Sequence, residues 1–213
     1  MGTQNNAKVA LLIPARTRPG KEGLSHPYDW EPLGALCLSA YLRQKGFDVM
    51  VEHQLSGRPD GETVGNIVRF KPDVVGVSAI SPTFNRGLQL IEGIRRRLDV
   101  PVIMGGPHAT MDPANTLINN PMIDFIGIGE GERPLLQLLA SDFGAAQTIG
   151  GLGFRKGGRI IINPMSDRLT EAELNALPFP DRMDVETYFA SQKASVPIPF
   201  SEQRIMGIHT SRG

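Results

Sequence analysis

The residue types able to do chemistry in this chain fall into four clusters rich in glycine and hydroxyls. Ser78-Ala79-Ile80-Ser81-Pro82-Thr83-Phe84 offers three hydroxyls at near-alternate positions, suited to hydrogen bonding with a ligand or to capping a following helix. Gly105-Gly106-Pro107-His108-Ala109-Thr110 pairs two glycines, which let another group approach the backbone closely, with a histidine. Gly127-Ile128-Gly129-Glu130-Gly131-Glu132 permits a tight turn into a helix whose first residues carry the carboxylate that the helix dipole favours. The long stretch Pro14–Pro32 holds Arg16, Arg18, Lys21, His26, Tyr28 and Trp30, a mixture fitted to a flat or anionic ligand or to a surface excursion anchored by Trp30.

Other chemistries are excluded by what is missing. A dinucleotide fold needs G-x-G-x-x-G after its first strand, where this chain has Pro14-Ala15-Arg16, and no phosphate-cradling P-loop occurs. A phosphoacceptor receiver needs acidic residues after strands one and three and a lysine after strand five. Those positions hold Pro14 and Ala15, Ser78 and Ala79, and Gly129. A flavodoxin needs a Ser/Thr-rich phosphate loop after strand one, which is absent. Cys37 is the single cysteine, so this chain alone forms no intramolecular disulfide, Cys-rich zinc site or iron–sulfur cluster. Among apolar neighbours in a helix, Cys37 is expected to be a buried packing residue. A small enzyme using His108 and Glu130 as acid and base lacks a nucleophile or metal set. No metal ligand and no catalytic residue is assigned.

Positioning these loops requires a regular scaffold, and the hydrophobic pattern supplies one. Strands are expected at Lys8–Ile13, Phe47–Glu52, Asp73–Ser78, Val100–Met104 and Ile123–Ile128. Helices are expected at Leu33–Lys45, Glu62–Phe70, Asn85–Leu98, Pro113–Asn119 and Glu132–Asp142. In the first helix Leu36, Leu38, Ala40, Tyr41 and Leu42 face inward, with Gly46 as a left-handed stop. Strand starts spaced by 39, 26, 27 and 23 residues mean strand–helix repeated five times. The fold class is therefore α/β, a flavodoxin-like doubly wound five-stranded parallel sheet in the order 2-1-3-4-5. A first domain is expected over residues 1–145. Residues 146–213 follow as a β-hairpin around Lys156-Gly157-Gly158 and an extended connector, with a helical patch at Thr170–Ala176 and a strand at Arg204–Thr210.

Composition sets the outer limits. Lys+Arg 22 balances Asp+Glu 22, which argues against a nucleic-acid partner recruited by bulk charge. Hydrophobic residues at 40% and charged residues at 21% describe an ordinary globular mix. Apolar runs are strand-sized, far below the roughly 20 residues a membrane span needs, so no membrane partner is expected. The first residues, Met1-Gly2-Thr3-Gln4, lack the pattern of a secretory signal, which gives a cytoplasmic expectation.

Through these loops the chain resembles the N-terminal cobalamin-binding domain of cobalamin-dependent radical SAM enzymes. Five segments in order carry the resemblance: Glu31-Pro32-Leu33-Gly34-Ala35-Leu36 running into Ala40-Tyr41-Leu42-Arg43; Asp73-Val74-Val75-Gly76-Val77-Ser78 with Pro82-Thr83; the Gly105–Thr110 loop; Gly129-Glu130-Gly131-Glu132; and the connector-like Leu177-Pro178-Phe179-Pro180-Asp181-Arg182. His209-Thr210-Ser211-Arg212-Gly213 is similar to the family's sequence just before its cluster-binding cysteines. The chain thus looks truncated ahead of the barrel, whose iron–sulfur cluster and S-adenosylmethionine would lie outside it.

The resemblance implies cobalamin as cofactor and the radical SAM barrel as partner within the full-length chain. It implies that Ser78, Ser81 and Thr83, with Ala79 beside them, meet the nucleotide tail, and that Gly105 and Gly106 let the tail pass close to the sheet beside Pro107 and His108. Gly129, Glu130 and Gly131 would flank the same slot, and Pro14, Ala15 and Arg16 in the first loop would approach the corrin edge. Methionine-synthase-like domains place Asp-x-His-x-x-Gly after strand one. Here the nearest candidate, His53, follows strand two, with Val51 where the aspartate would be. A base-off cofactor with no histidine on cobalt is expected. The implied activity is methyl transfer from methylcobalamin in a parent enzyme, or a rearrangement, with this chain inactive alone. A stand-alone corrinoid carrier or sensor is the alternative.

Overall fold

A computed structural model describes residues 7–16, 32–55, 58–165 and 167–182. The strand expected at Arg204–Thr210 and most of the first loop lie outside the described residues.

Seven strands form one sheet in the order β2-β1-β3-β4-β5-β6-β7. β1 is Lys8–Ile13, β2 Asp48–His53, β3 Val74–Ser78, β4 Val102–Gly105 and β5 Phe125–Gly127. These five run parallel, in the order expected from the sequence. The helices are α1 Leu33–Gln44, α2 Asp60–Phe70, α3 Phe84–Arg95, α4 Pro107–Met111, α5 Pro113–Asn119, α6 Glu132–Ala140 and α7 Glu171–Asn175.

The double winding follows from the strand period. Val9 and Leu11 pack with Leu42 and Leu138 on the α1/α6 face, while Ala10 and Leu12 pack with Ile67, Leu90, Ile91 and Ile94 on the α2/α3 face. Successive strand side chains point to opposite faces, so a strand buried on both sides must be apolar throughout. Helix α1 ends as expected, at Gly46 with φ +91°. Its buried residues include Leu36, Ala40 and Leu42, whereas Leu38 and Tyr41 are only partly covered. Cys37 is half-buried rather than fully buried, because the turn of the helix carries it off the stripe that Leu36 and Ala40 bury.

The sheet does not stop at five strands. The expected hairpin forms as β6 (Leu152–Lys156) and β7 (Arg159–Ile162), and β6 pairs antiparallel with β5. Its two-residue turn uses Gly157 and Gly158, both at positive φ, the geometry that matches strand twist. Leu152 and Phe154 join the α1/α6 core. Arg155 of β6 donates to the carbonyls of Leu117, Asn120 and Ile123, tying the end of α5 to the hairpin. Beyond the sheet, α7 carries the Thr170–Glu173 capping box, and Asp181 returns to α1 through its amide to Leu36 and an ion pair with Arg43. No helix among the described residues is long and apolar enough to cross a membrane.

Candidate functional site

In a doubly wound sheet ligands bind beyond the carboxyl ends of the strands, where the strand order reverses. Here β1 and β3 are neighbours whose connections leave in opposite directions, and an open cleft of about 340 Å³ lies at their ends. Its lining runs from Ile13, Pro14 and Arg16 at the exit of β1 to His53 at the end of β2, and to Ser78, Ile80 and Thr83 after β3. The start of α1 closes it, through Pro32, Leu33, Gly34 and Ala35. Helix α1 begins without a side-chain cap, so its N-terminal amides and the positive end of its dipole form part of the cleft's chemistry.

Of the residues expected to bind from sequence, the cleft gathers Pro14, Arg16, Ser78 and Thr83. Ala15 sits just behind it, 4% exposed, with its amide donating to Gln54 Oε1 at 3.3 Å. Thr83 is buried, and its hydroxyl both accepts from the Ile80 amide at 3.1 Å and donates to the Ile80 carbonyl at 3.2 Å. That hydroxyl therefore shapes the turn that ends β3.

The remaining expected residues lie along the β3–β5 rim. Ser78 pairs in register with Gly105, so it belongs to both regions. The Ala79 amide donates to Gly105, and its carbonyl accepts from the His108 amide at 3.3 Å. Gly106 adopts φ +92°, and a Cβ there would stand 2.7 Å from the Ala79 carbonyl oxygen. The smallness of Gly106 is thus used by the β3 loop itself. Gly105 differs, because a Cβ there would meet nothing closer than the Gly127 carbonyl at 3.9 Å.

Pro107 opens α4, a helix absent from the sequence-based expectation because five residues carry too little periodicity to register. His108 is held in place twice over. Its Nδ1 lies 3.1 Å from Ser81 Oγ, and its ring stacks on Phe84 at 3.9 Å. Gly129, at φ +75°, donates to Thr110 Oγ1 at 3.1 Å, which ties the β5 loop to α4. Glu130 is exposed, and Gly131 precedes α6 against Leu38.

His53, rejected on sequence grounds as a cobalt ligand, lines the cleft. Its signal lay in register. His53 pairs with Ile13, so the last residue of β2 must emerge beside the exit of β1. Burial, and secondarily the charge of Arg58, push its imidazole down to a pKa of about 4, so it is neutral at neutral pH. Glu52, the residue before it, is pushed above its ordinary value by burial, against the opposing pull of Asn66 and Arg58. Among the described residues no group of three or more His, Cys, Asp or Glu is placed to hold a metal ion.

The sequence and the fold both have known relatives. The anaerobic magnesium-protoporphyrin IX monomethyl ester cyclase of Rubrivivax gelatinosus is 30% identical over 118 residues, covering 53% of this chain and 21% of the relative. The uncharacterized methyltransferase PH0819 of Pyrococcus horikoshii is 26% identical over 213 residues, covering 97% of this chain and 43% of the relative. Less than half the length of either relative is therefore spanned. Among solved structures, the cobalamin-dependent S-adenosylmethionine radical enzyme OxsB, with aqua-cobalamin and S-adenosylmethionine bound, superposes with a TM-score of 0.72 at 18% identity. The match covers 89% of this chain and 26% of that one, and shows a shared fold. Residues 23–139, more than half of the chain, match the model of the B12 binding domain, and the chain belongs to that family.

Proposed function

We propose that this chain holds cobalamin at the carboxyl edge of its sheet as the cofactor-binding part of a radical SAM methyltransferase. The observation that carries the reading is the cleft at the β1/β3 reversal, walled by Ser78, Arg16, His53 and the uncapped start of α1. Cobalamin fits the donor set. Its nucleotide arm carries a phosphodiester, which suits a guanidinium and a helix N-terminus, and its amides suit hydroxyls and backbone groups. A volume of about 340 Å³ sits at the low end of ligand pockets. It has room for a nucleotide-sized arm, which leaves the macrocycle over the rim formed by Gly105, His108 and Gly129.

When bound, cobalamin supplies methyl-group transfer through its cobalt. The chain's own residues hold and orient it. Ser78 and Ser81 offer hydroxyls to the arm, Ala79 and Gly106 fix the loop that presents them, and Gly105 keeps the surface low where the arm passes. Thr83 shapes the same loop from inside. Pro14, Ala15 and Arg16 bound the opposite wall, while Pro107, Glu130 and Gly131 frame the rim. The arm's base is read as displaced from cobalt, with no histidine of this chain replacing it. The relatives' names and greater length support a radical SAM barrel as the partner, with its iron–sulfur cluster and S-adenosylmethionine.

The test is to mix the folded chain with hydroxocobalamin, desalt it and record the visible spectrum. A retained corrin with a base-off spectrum is the expected result. A folded chain that retains no colour overturns the reading. Electron paramagnetic resonance of the reduced cobalt then checks the lower face: nitrogen splitting that disappears in His53→Ala would make His53 a ligand.

A further inference from the structure

On its β3 side the β1 ladder stops at Pro14, whose nitrogen carries no hydrogen. Toward β2 the Gln54 amide donates to the Ile13 carbonyl at 2.9 Å, and the next residue of the chain to face this way is Ala15. The Gln54 side chain takes over at that point. It is fully buried, and its Oε1 accepts from the Ala15 amide at 3.3 Å and from Arg86 Nε at 3.2 Å. Its Nε2 donates to Asp60 Oδ1 at 2.8 Å and to the Arg58 carbonyl at 3.4 Å. Arg86 closes the network with an ion pair to Asp60. Two acceptor sites and two donors are thus all used, the full complement of a primary amide. A buried polar group satisfied this completely is rigid, and it joins α2 and α3 to the exit of β1.

The bond from Ala15 matters because of its neighbours. Pro14 and Arg16 both line the cleft, as does His53, the residue before Gln54. We propose that Gln54 is a positioning residue of the cobalamin site, fixing the Ala15 backbone so that Pro14 and Arg16 form the cleft wall. The proposal rests on the cobalamin reading of that cleft. Gln54 itself does not line the cleft, so its effect on binding passes through Ala15.

The experiment titrates hydroxocobalamin into the wild-type chain and into Gln54→Met, Gln54→Glu and, as a stability control away from the cleft, Glu52→Gln. Affinity, the induced circular dichroism of the bound corrin and the unfolding midpoint are read for each. Gln54→Met, which keeps the volume and removes the acceptor, is expected to weaken binding by about tenfold and to change the induced signal. Gln54→Glu keeps an acceptor for Ala15 while losing both donors. It is expected to bind within about threefold of wild type with the wild-type signal, even with a lowered midpoint. Glu52→Gln is expected to shift the midpoint alone. Should Gln54→Met not fold, Gln54→Asn, whose amide stops one methylene short of Ala15, is read in its place. Wild-type affinity and signal in the methionine variant overturn the proposal, as does equal loss in the methionine and glutamate variants, since the loss then follows the fold. A wild-type chain that retains no corrin overturns the cobalamin reading and this proposal with it, an outcome distinct from the other two.

Discussion

The two flanks of the carboxyl edge use small residues in opposite ways. On the β3–β4 side, the space a Gly106 side chain would need is filled by the Ala79 backbone, so the glycine marks a place where the protein is tightest. On the α1 side, Gly34 is exposed and lines the cleft, with nothing within 4 Å of where its Cβ would stand. One glycine is demanded by the fold, and the other leaves room. A glycine-rich loop therefore does not by itself locate a ligand; what matters is which side of the glycine is already occupied.

That contrast is open to direct attack. Gly106→Val is expected to be the most damaging change, combining a positive φ with overlap against the Ala79 backbone. About 3–5 kcal/mol of stability should be lost in urea unfolding. A variant that stays as stable as wild type and loses only cobalamin would hand that space back to the ligand.

The next effect is read by pH. His53 has a folded pKa of about 4 against about 6.5 when unfolded, so the unfolded chain binds more protons between these values. Stability should fall as pH drops through that window, by up to about 3 kcal/mol, and remain level above it. Glu52 works in the other direction, since its raised folded pKa adds stability on acidification. The difference between wild type and His53→Gln isolates the histidine, and parallel curves for the two would show that the imidazole is not held neutral.

Gly34→Leu sharpens the open flank. It should keep or slightly raise stability, by up to about 1 kcal/mol from helix propensity. Filling the cleft mouth should at the same time weaken cobalamin binding by about tenfold. Unchanged affinity would move the ligand off the α1 wall. The smallest stability effect is expected for Gly105→Val, within about 1 kcal/mol, because a Cβ there would meet nothing closer than the Gly127 carbonyl at 3.9 Å. Its cobalamin titration then reports whether the arm passes over β4.

Much of this architecture was legible because it is written locally. The apolar runs at Lys8–Ile13 and Val74–Ser78, each followed by a helix-period segment, dictate strand–helix units, and right-handed crossovers leave few ways to assemble them. The loops at Ser78 and Gly105 were legible as ligand-edge candidates for the same reason. Other features had no local signal. Phe125, Ile126 and Gly127 carry nothing that announces an antiparallel neighbour, and the pairing with Phe154, Gly153 and Leu152 closes across more than twenty residues. Thr83 is legible from sequence as a ligand hydroxyl or a cap, and only its position against Ile80 shows that its hydroxyl both accepts from and donates to that residue's backbone.

The sequence by itself determined the parallel α/β order, the turn at Gly157-Gly158 and the set of loops that had to meet at one edge, because periodicity and backbone chemistry act between near neighbours. Tertiary structure alone decided which of those loops enclose space. Whether a cleft lies beside Ser78 and His53, or Ala79 fills the gap at Gly106, depends on how elements distant in the chain pack against one another.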